Sequence, residues 1–185
     1  MPQAGMASTN SNIIATAKSL IGKVDYVFGG DDIAGGKGDC SDFTQYVFKE
    51  NGIEIGGTTE EQYKKGESVS KDDLEIGDLV FFKNTYNSGY TDGVSHVGIY
   101  EGNGKFIHLS SSKNGVTESD LDSDYWEKHY LGARRINYMG SGESLGEVVT
   151  GFSKKVFSQV VQVILIGLLF IIGIIFLVLS VDNSI

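Results

Sequence analysis

The sequence predicts an α+β domain, with packed N-terminal helices and a central antiparallel sheet, followed by a C-terminal transmembrane helix. Three observations predict it. Ile13, Ile14, Ala17, Leu20 and Ile21 recur at helical spacing, as do Phe43, Tyr46 and Val47 after Cys40. Short apolar runs bounded by turn residues recur from Leu79 onward, two of them joined by Asn103-Gly104, a strong hairpin signal. Finally, the chain is apolar without a break from Val163 to Leu179, long enough with its margins to cross a bilayer as a helix.

In chain order, residues 1–11 are small and polar and read as a flexible leader without the basic and apolar regions of a signal peptide. A first helix is expected over 11–21, stopped by Gly22-Lys23. Tyr26 to Gly30 reads as a short extended piece entering the glycine-rich run 31–38. That run lacks the preceding regular strand and the Gly-Lys-Ser/Thr ending of a phosphate loop, so nucleotide binding is set aside. A second helix is expected over 40–50, capped by Asp39 or Ser41 and stopped by Asn51-Gly52. A short helix over 59–65 follows among exposed turns. Leu79 to Phe82 is a core strand, and 84–93 is a Tyr- and Gly-rich surface loop suited to one wall of a groove. Strands are then expected over 96–100, 105–109 and 131–138, with a loop or short helix over 116–130. The domain is thus placed at 12–138, a small and polar linker at 139–155, the apolar helix at 156–181 and a tail at 182–185.

Composition narrows the function classes. A formal charge of −9 argues against an extended duplex-DNA or RNA footprint, which needs a basic surface, but leaves a neutral or cationic polymer open. The single cysteine excludes an intramolecular disulfide. Lys154-Lys155 before the apolar run, with Asp182 after it, places the domain on the cytosolic side if the run spans a membrane. A hydrophobic helix buried against partner proteins is the alternative reading of the same run.

Cys40 is the chemical focus. It stands between a glycine-rich loop and a helix start, where unpaired backbone N–H groups and the helix field favour thiolate over thiol. A buried small hydrophobe is the competing reading. A nucleophilic thiol needs a base, and only His96, His108 and His129 are available. His96 enters a core strand, and the hairpin brings His108 onto the neighbouring strand, giving a nucleophile, base and orienter. Asp39, Asp42 and Asp92 could supplement a Cys/His metal site, but one cysteine and three scattered histidines make no close-spaced ligand framework, so neither metal nor other cofactor is expected. Trp126 either anchors its segment or lines a groove with Tyr86 and Tyr90; Arg134 or Arg135 either grips a carboxylate or anchors the fold.

The motifs taken together, Tyr26-Val27-Phe28-Gly29-Gly30, Asp39-Cys40-Ser41-Asp42-Phe43, Gly77-Asp78-Leu79-Val80-Phe81-Phe82, Ser95-His96-Val97-Gly98-Ile99-Tyr100, Phe106-Ile107-His108 and Gly132-Ala133-Arg134-Arg135, resemble the NlpC/P60 papain-like cell-wall peptidases. The resemblance implies that Cys40 is the nucleophile, His96 the general base, His108 the third polar residue and Tyr26 a contributor to the oxyanion pocket. Ser41, Asp42, Trp126 and Arg134 are then candidates for substrate binding, with Asp42 standing where the family commonly has glycine. It further implies hydrolysis of peptidoglycan stem peptides, often between the D-glutamate side-chain carboxyl and a diamino acid. Two alternatives share the chemistry or the fold: a CHAP-like amidase cutting the glycan-to-peptide amide, and a structural wall-binding protein of a phage tail or secretion apparatus with a degenerate hydrolase domain. The apolar C-terminus adds a membrane-associated location, and the leader's lack of a signal adds delivery in a phage particle to the host envelope.

Overall fold

The computed structural model describes residues 4–86 and 93–137, within the first of two units into which the chain divides, Met1–Ser141. Helix α1 (Ala4–Ser19) starts seven residues before the expected 11 and buries Ile13 and Ala17. Three two-residue strands follow. β1 (Asp25–Tyr26) lies parallel to β3 (Lys37–Gly38), and β2 (Asp31–Asp32) pairs with β3 from the other side. This small sheet folds the glycine-rich run back on itself, so that Tyr26 and the residues before Cys40 share one surface.

Helix α2 (Cys40–Glu50) begins at the candidate nucleophile. Its apolar stripe of Phe43, Val47 and Phe48 is fully buried, packing in one core with Phe81, Val97, Ile99 and Ile107 of the main sheet. Helix α3 (Thr59–Tyr63) carries a capping box between Thr58 and Glu61 and shortens the helix expected over 59–65.

The main sheet is antiparallel, in the order β4 (Glu67–Val69), β9 (Tyr130–Arg135), β5 (Leu79–Lys83), β6 (Val94–Gly102), β7 (Lys105–Ser110), β8 (Gly115–Asp120). Alternation divides it cleanly. Phe81, Val97, Ile99, Ile107 and Leu109 face α2, whereas Val80, Phe82, Phe106 and Ala133 form a second core under α4 (Asp124–His129), with Trp126 packed against it. The α+β architecture with N-terminal helices and an antiparallel sheet is therefore the one expected. Strands β4 and β8 were not: both are sheet edges with few apolar residues, and the segment from Val116 was expected to be loop or short helix.

The transmembrane helix needs correction. Among the described residues no helix is long and apolar enough to cross a membrane. The longest, α1, has 16 residues and carries Thr, Asn, Ser and Lys, against the roughly 20 apolar residues that a span requires. The apolar run at 163–179, like the linker and tail, lies outside the described residues. The membrane-associated location and the membrane as partner are accordingly withdrawn.

Candidate active site

Asp39 builds the start of α2. Its Oδ1 accepts from the Ser41 backbone N–H at 2.9 Å, the Asp42 N–H at 3.2 Å and the Ser41 hydroxyl at 2.8 Å, while the Asp42 carboxylate accepts from the Asp39 N–H at 2.9 Å. Oδ2 accepts from the Gly29 N–H at 3.2 Å, tying the Tyr26 loop to the same cap. A second brace lies one turn on. Gln62, fully buried, donates from Nε2 to the carbonyls of Ser41 and Gly56, each at 3.0 Å, and accepts from the Thr44 hydroxyl at 2.7 Å.

Cys40 faces a groove of about 510 Å³ that is walled by Phe28, Asp39, Thr59, Tyr86 and Ser95 among others. Its sulfur lies 3.7 Å from the Tyr86 hydroxyl, which in turn lies 3.3 Å from the Tyr26 hydroxyl. The residue is only 3% exposed, and burial pushes its thiol up to about 12, with the Asp39 carboxylate adding to the effect. Hydrogen bonds from Tyr86 and from the backbone of Val97 and Ser41 act the other way and are outweighed. The expectation that the helix start favours thiolate is thereby corrected: desolvation of the charged form wins over the local N–H dipoles.

Strand β6 brings the imidazole alongside. The pairing of β5 with β6 slips between Phe82 and Lys83, so that Ser95 is the extra residue of a bulge immediately before His96. Bulges re-aim the side chains next to them, and the Ser95 hydroxyl, bonded to Thr85 at 2.7 Å, pins this one. His96 Nε2 meets His108 Nδ1 at 2.7 Å, and His108 Nε2 meets the Ser119 hydroxyl at 2.9 Å. Both rings are buried, with Trp126 stacked on His96 at 5.4 Å and edge-on to His108 at 5.0 Å. Burial lowers His96 to about 4 and His108 well below the usual histidine range, so both are neutral at pH 7. Among the described residues no hydrogen bond joins Cys40 to His96; the thiol lies instead against the Val97 backbone, one residue along.

The remaining candidates separate. Ser41 lines the groove but spends its hydroxyl on the cap. Asp42 belongs to the capping box and opens onto a separate hollow with Asp31 and Gln45, where burial first, then Asp39, raises its carboxyl to about 6. Trp126 anchors α4 in the second core, and Arg134 is held over the Tyr63 ring at 4.6 Å; neither lines the Cys40 groove. Arg135 is the fold anchor, its Nε and Nη2 gripping the buried Asp78 carboxylate at 2.9 and 2.8 Å. His129 bonds the Lys83 carbonyl, while Tyr90 and Asp92 lie outside the described residues. Sequence reasoning missed Ser119, whose signal was the alternation of Val116, Thr117, Glu118 and Ser119, and the direct contact of Tyr86 with the thiol, which no spacing reveals.

Residues 22–135 match the model of the NlpC/P60 family. The chain is 38% identical over 140 residues to the peptidoglycan DL-endopeptidase CwlO of Bacillus licheniformis, covering 70% of this chain and 29% of that protein. It is 46% identical over 99 residues to the murein DD-endopeptidase/LD-carboxypeptidase MepS of Escherichia coli, covering 53% of this chain and 49% of that protein. A crystal structure of a lipoprotein-like NLP/P60 family protein of Staphylococcus aureus superposes with a TM-score of 0.63 at 33% identity, over 71% of this chain and 42% of that one. The chain thus spans half or less of the length of these relatives. None of the three is named as a phage-tail, virion or secretion-apparatus component, and those expected settings and partners are withdrawn.

Proposed function

Because the chain belongs to the NlpC/P60 family, we propose that its domain is a cysteine peptidase that hydrolyses peptide bonds in the stem peptides of peptidoglycan. The observation that carries this reading is a buried imidazole pair at 2.7 Å: His96 on β6, the strand against which the groove-facing Cys40 thiol rests, and His108 on the adjacent β7. The two bacterial relatives, named for peptidoglycan and murein cleavage, supply the substrate class.

The neutral state of both groups sets the order of events. His96 Nε2 is engaged by His108, which leaves Nδ1 as the nitrogen that takes the Cys40 proton. The thiolate attacks the scissile carbonyl carbon, and the carbonyl oxygen becomes an oxyanion. Tyr26 and the Cys40 backbone N–H, the first of α2, donate to it; the Ser41, Asp42 and Phe43 N–H groups are held by Asp39. Collapse breaks the C–N bond, and the departing amine carries off the proton from His96, leaving a thioester on Cys40. Water, deprotonated by His96, attacks the thioester; the acid product leaves and the thiol is restored. His108 holds the imidazole orientation throughout.

The finer assignment is the bond between the D-glutamate side-chain carboxyl and the diamino acid. CwlO is named for a DL bond and MepS for DD and LD bonds, so product analysis discriminates. Digestion of purified peptidoglycan, with mass spectrometry of the released fragments, is expected to yield products ending in D-glutamate. Products in which intact stem peptides leave the glycan would instead identify an amidase.

A further inference from the structure

The relay of buried imidazoles does not end at His108. From its geometry we infer that Ser119 is a positioning residue that selects the proton arrangement in which His96 can act as a base. The inference rests on the peptidase reading above for its consequence, but not for its spectroscopic test.

When His96 has taken the thiol proton, both of its ring nitrogens carry hydrogen, so Nε2 must donate to His108 Nδ1 at 2.7 Å. His108 is then an acceptor at Nδ1, and as a neutral ring it holds its one proton on Nε2. That N–H belongs to a side chain 1% exposed, and its partner is the Ser119 oxygen at 2.9 Å. Ser119 is therefore the terminal acceptor of the chain that stabilises the imidazolium.

The reverse arrangement is equally compatible with these distances when both rings are neutral. There Ser119 donates to His108 Nε2, His108 Nδ1–H donates to His96 Nε2, and the one proton of His96 sits on Nδ1, where it blocks acceptance of the thiol proton. Without a hydroxyl at 119 the productive arrangement leaves a buried N–H unpaired, which disfavours it. Strand β8 delivers the hydroxyl to this spot: Ser119 pairs across from Phe106 and lies diagonal to His108 on the same sheet face. The groups bearing electrostatically on the pair are Asp39, which raises His96, and the His96 imidazole, which lowers His108; the packed rings of Phe82, Phe106 and Trp126 carry no charge.

The test compares the full chain with Ser119→Ala and Ser119→Thr by histidine side-chain ¹⁵N NMR at neutral pH, alongside kcat and KM on stem peptide. In the unaltered protein, His96 and His108 are expected as Nε2–H tautomers. Ser119→Ala is expected to move His108 toward the Nδ1–H form and to lower kcat about tenfold with KM unchanged. Ser119→Thr, which keeps the hydroxyl, restores both. Identical tautomers in Ser119→Ala and the unaltered protein, or Nδ1–H tautomers in the latter, would overturn the inference. Should Cys40→Ala retain full activity, the peptidase reading fails while the tautomer result stands by itself.

Discussion

At the scale of single residues, burial shifts the titration of both the thiol and the imidazoles. With its thiol pushed up to about 12, Cys40 is expected to react slowly with iodoacetamide at neutral pH and faster as the pH rises. Asp39→Asn keeps an oxygen to cap α2 but removes the charge that adds to the thiol shift. It should therefore move the onset of alkylation to lower pH, and an unmoved onset would show that burial acts alone. The histidines act on stability instead. His96 titrates at 6.5 when unfolded and at about 4 when folded, and His108 is lowered in the same direction. Between these values the unfolded chain binds protons that the folded chain does not. Stability is thus complete above about pH 6.5 and falls as the pH drops toward 4, by roughly 3 kcal/mol for His96, with His108 adding in the same direction. Asp42, raised to about 6, opposes this, but it is half-buried and partly screened by solvent. Thermal melts should show the loss, and His96→Gln should flatten it; a slope unchanged in that variant would contradict the burial cost assigned to His96.

At the scale of elements, the close approach of β6 and β7 is what joins the two imidazoles. Gly98 permits it, because a Cβ there would lie 2.5 Å from the Phe106 ring, 3.0 Å from the Ile107 carbonyl oxygen and 3.1 Å from the His108 Cβ. Gly98→Ala should force the strands apart, destabilising the domain by about 1–3 kcal/mol. Activity should fall further than stability explains, read as kcat well below the melting midpoint. An active variant with unchanged kcat would separate strand spacing from imidazole alignment. The strands that hold these groups were legible in the sequence because Leu79 to Phe82, His96 to Tyr100 and Lys105 to Leu109 carry apolar pairs bounded by turn residues, and Asn103-Gly104 fixes the hairpin. Strand β8 was hidden by Glu118, Ser119 and Asp120, which suit an edge facing water as well as they suit a loop. The bulge at Ser95 was equally invisible, since it depends on how β5 registers against its partner.

Across the whole molecule, the sheet separates two jobs. One face packs the apolar stripe of α2, and on the other Phe82, Phe106 and Trp126 enclose the imidazoles. Motif order along the chain conveyed the family and the candidate nucleophile, base and orienter. It did not convey that Trp126 and Arg134 pack into the fold rather than line the groove, because aromatic and guanidinium groups serve packing and recognition through the same contacts. Nor could it reveal Tyr86 beside Cys40, 46 residues distant in sequence. The net charge of −9 is consistent with a partner that is not a nucleic acid. The central claim is covalent catalysis by Cys40, and one measurement bears on it most directly. The full chain and Cys40→Ala are mixed with the same stem peptide, quenched in acid at successive times, and followed by intact-protein and peptide mass spectrometry. Cleavage by the unaltered protein through a transient adduct of the acyl fragment on Cys40 is expected, with cleavage abolished in Cys40→Ala; cleavage by Cys40→Ala at the unaltered rate would contradict covalent catalysis by Cys40.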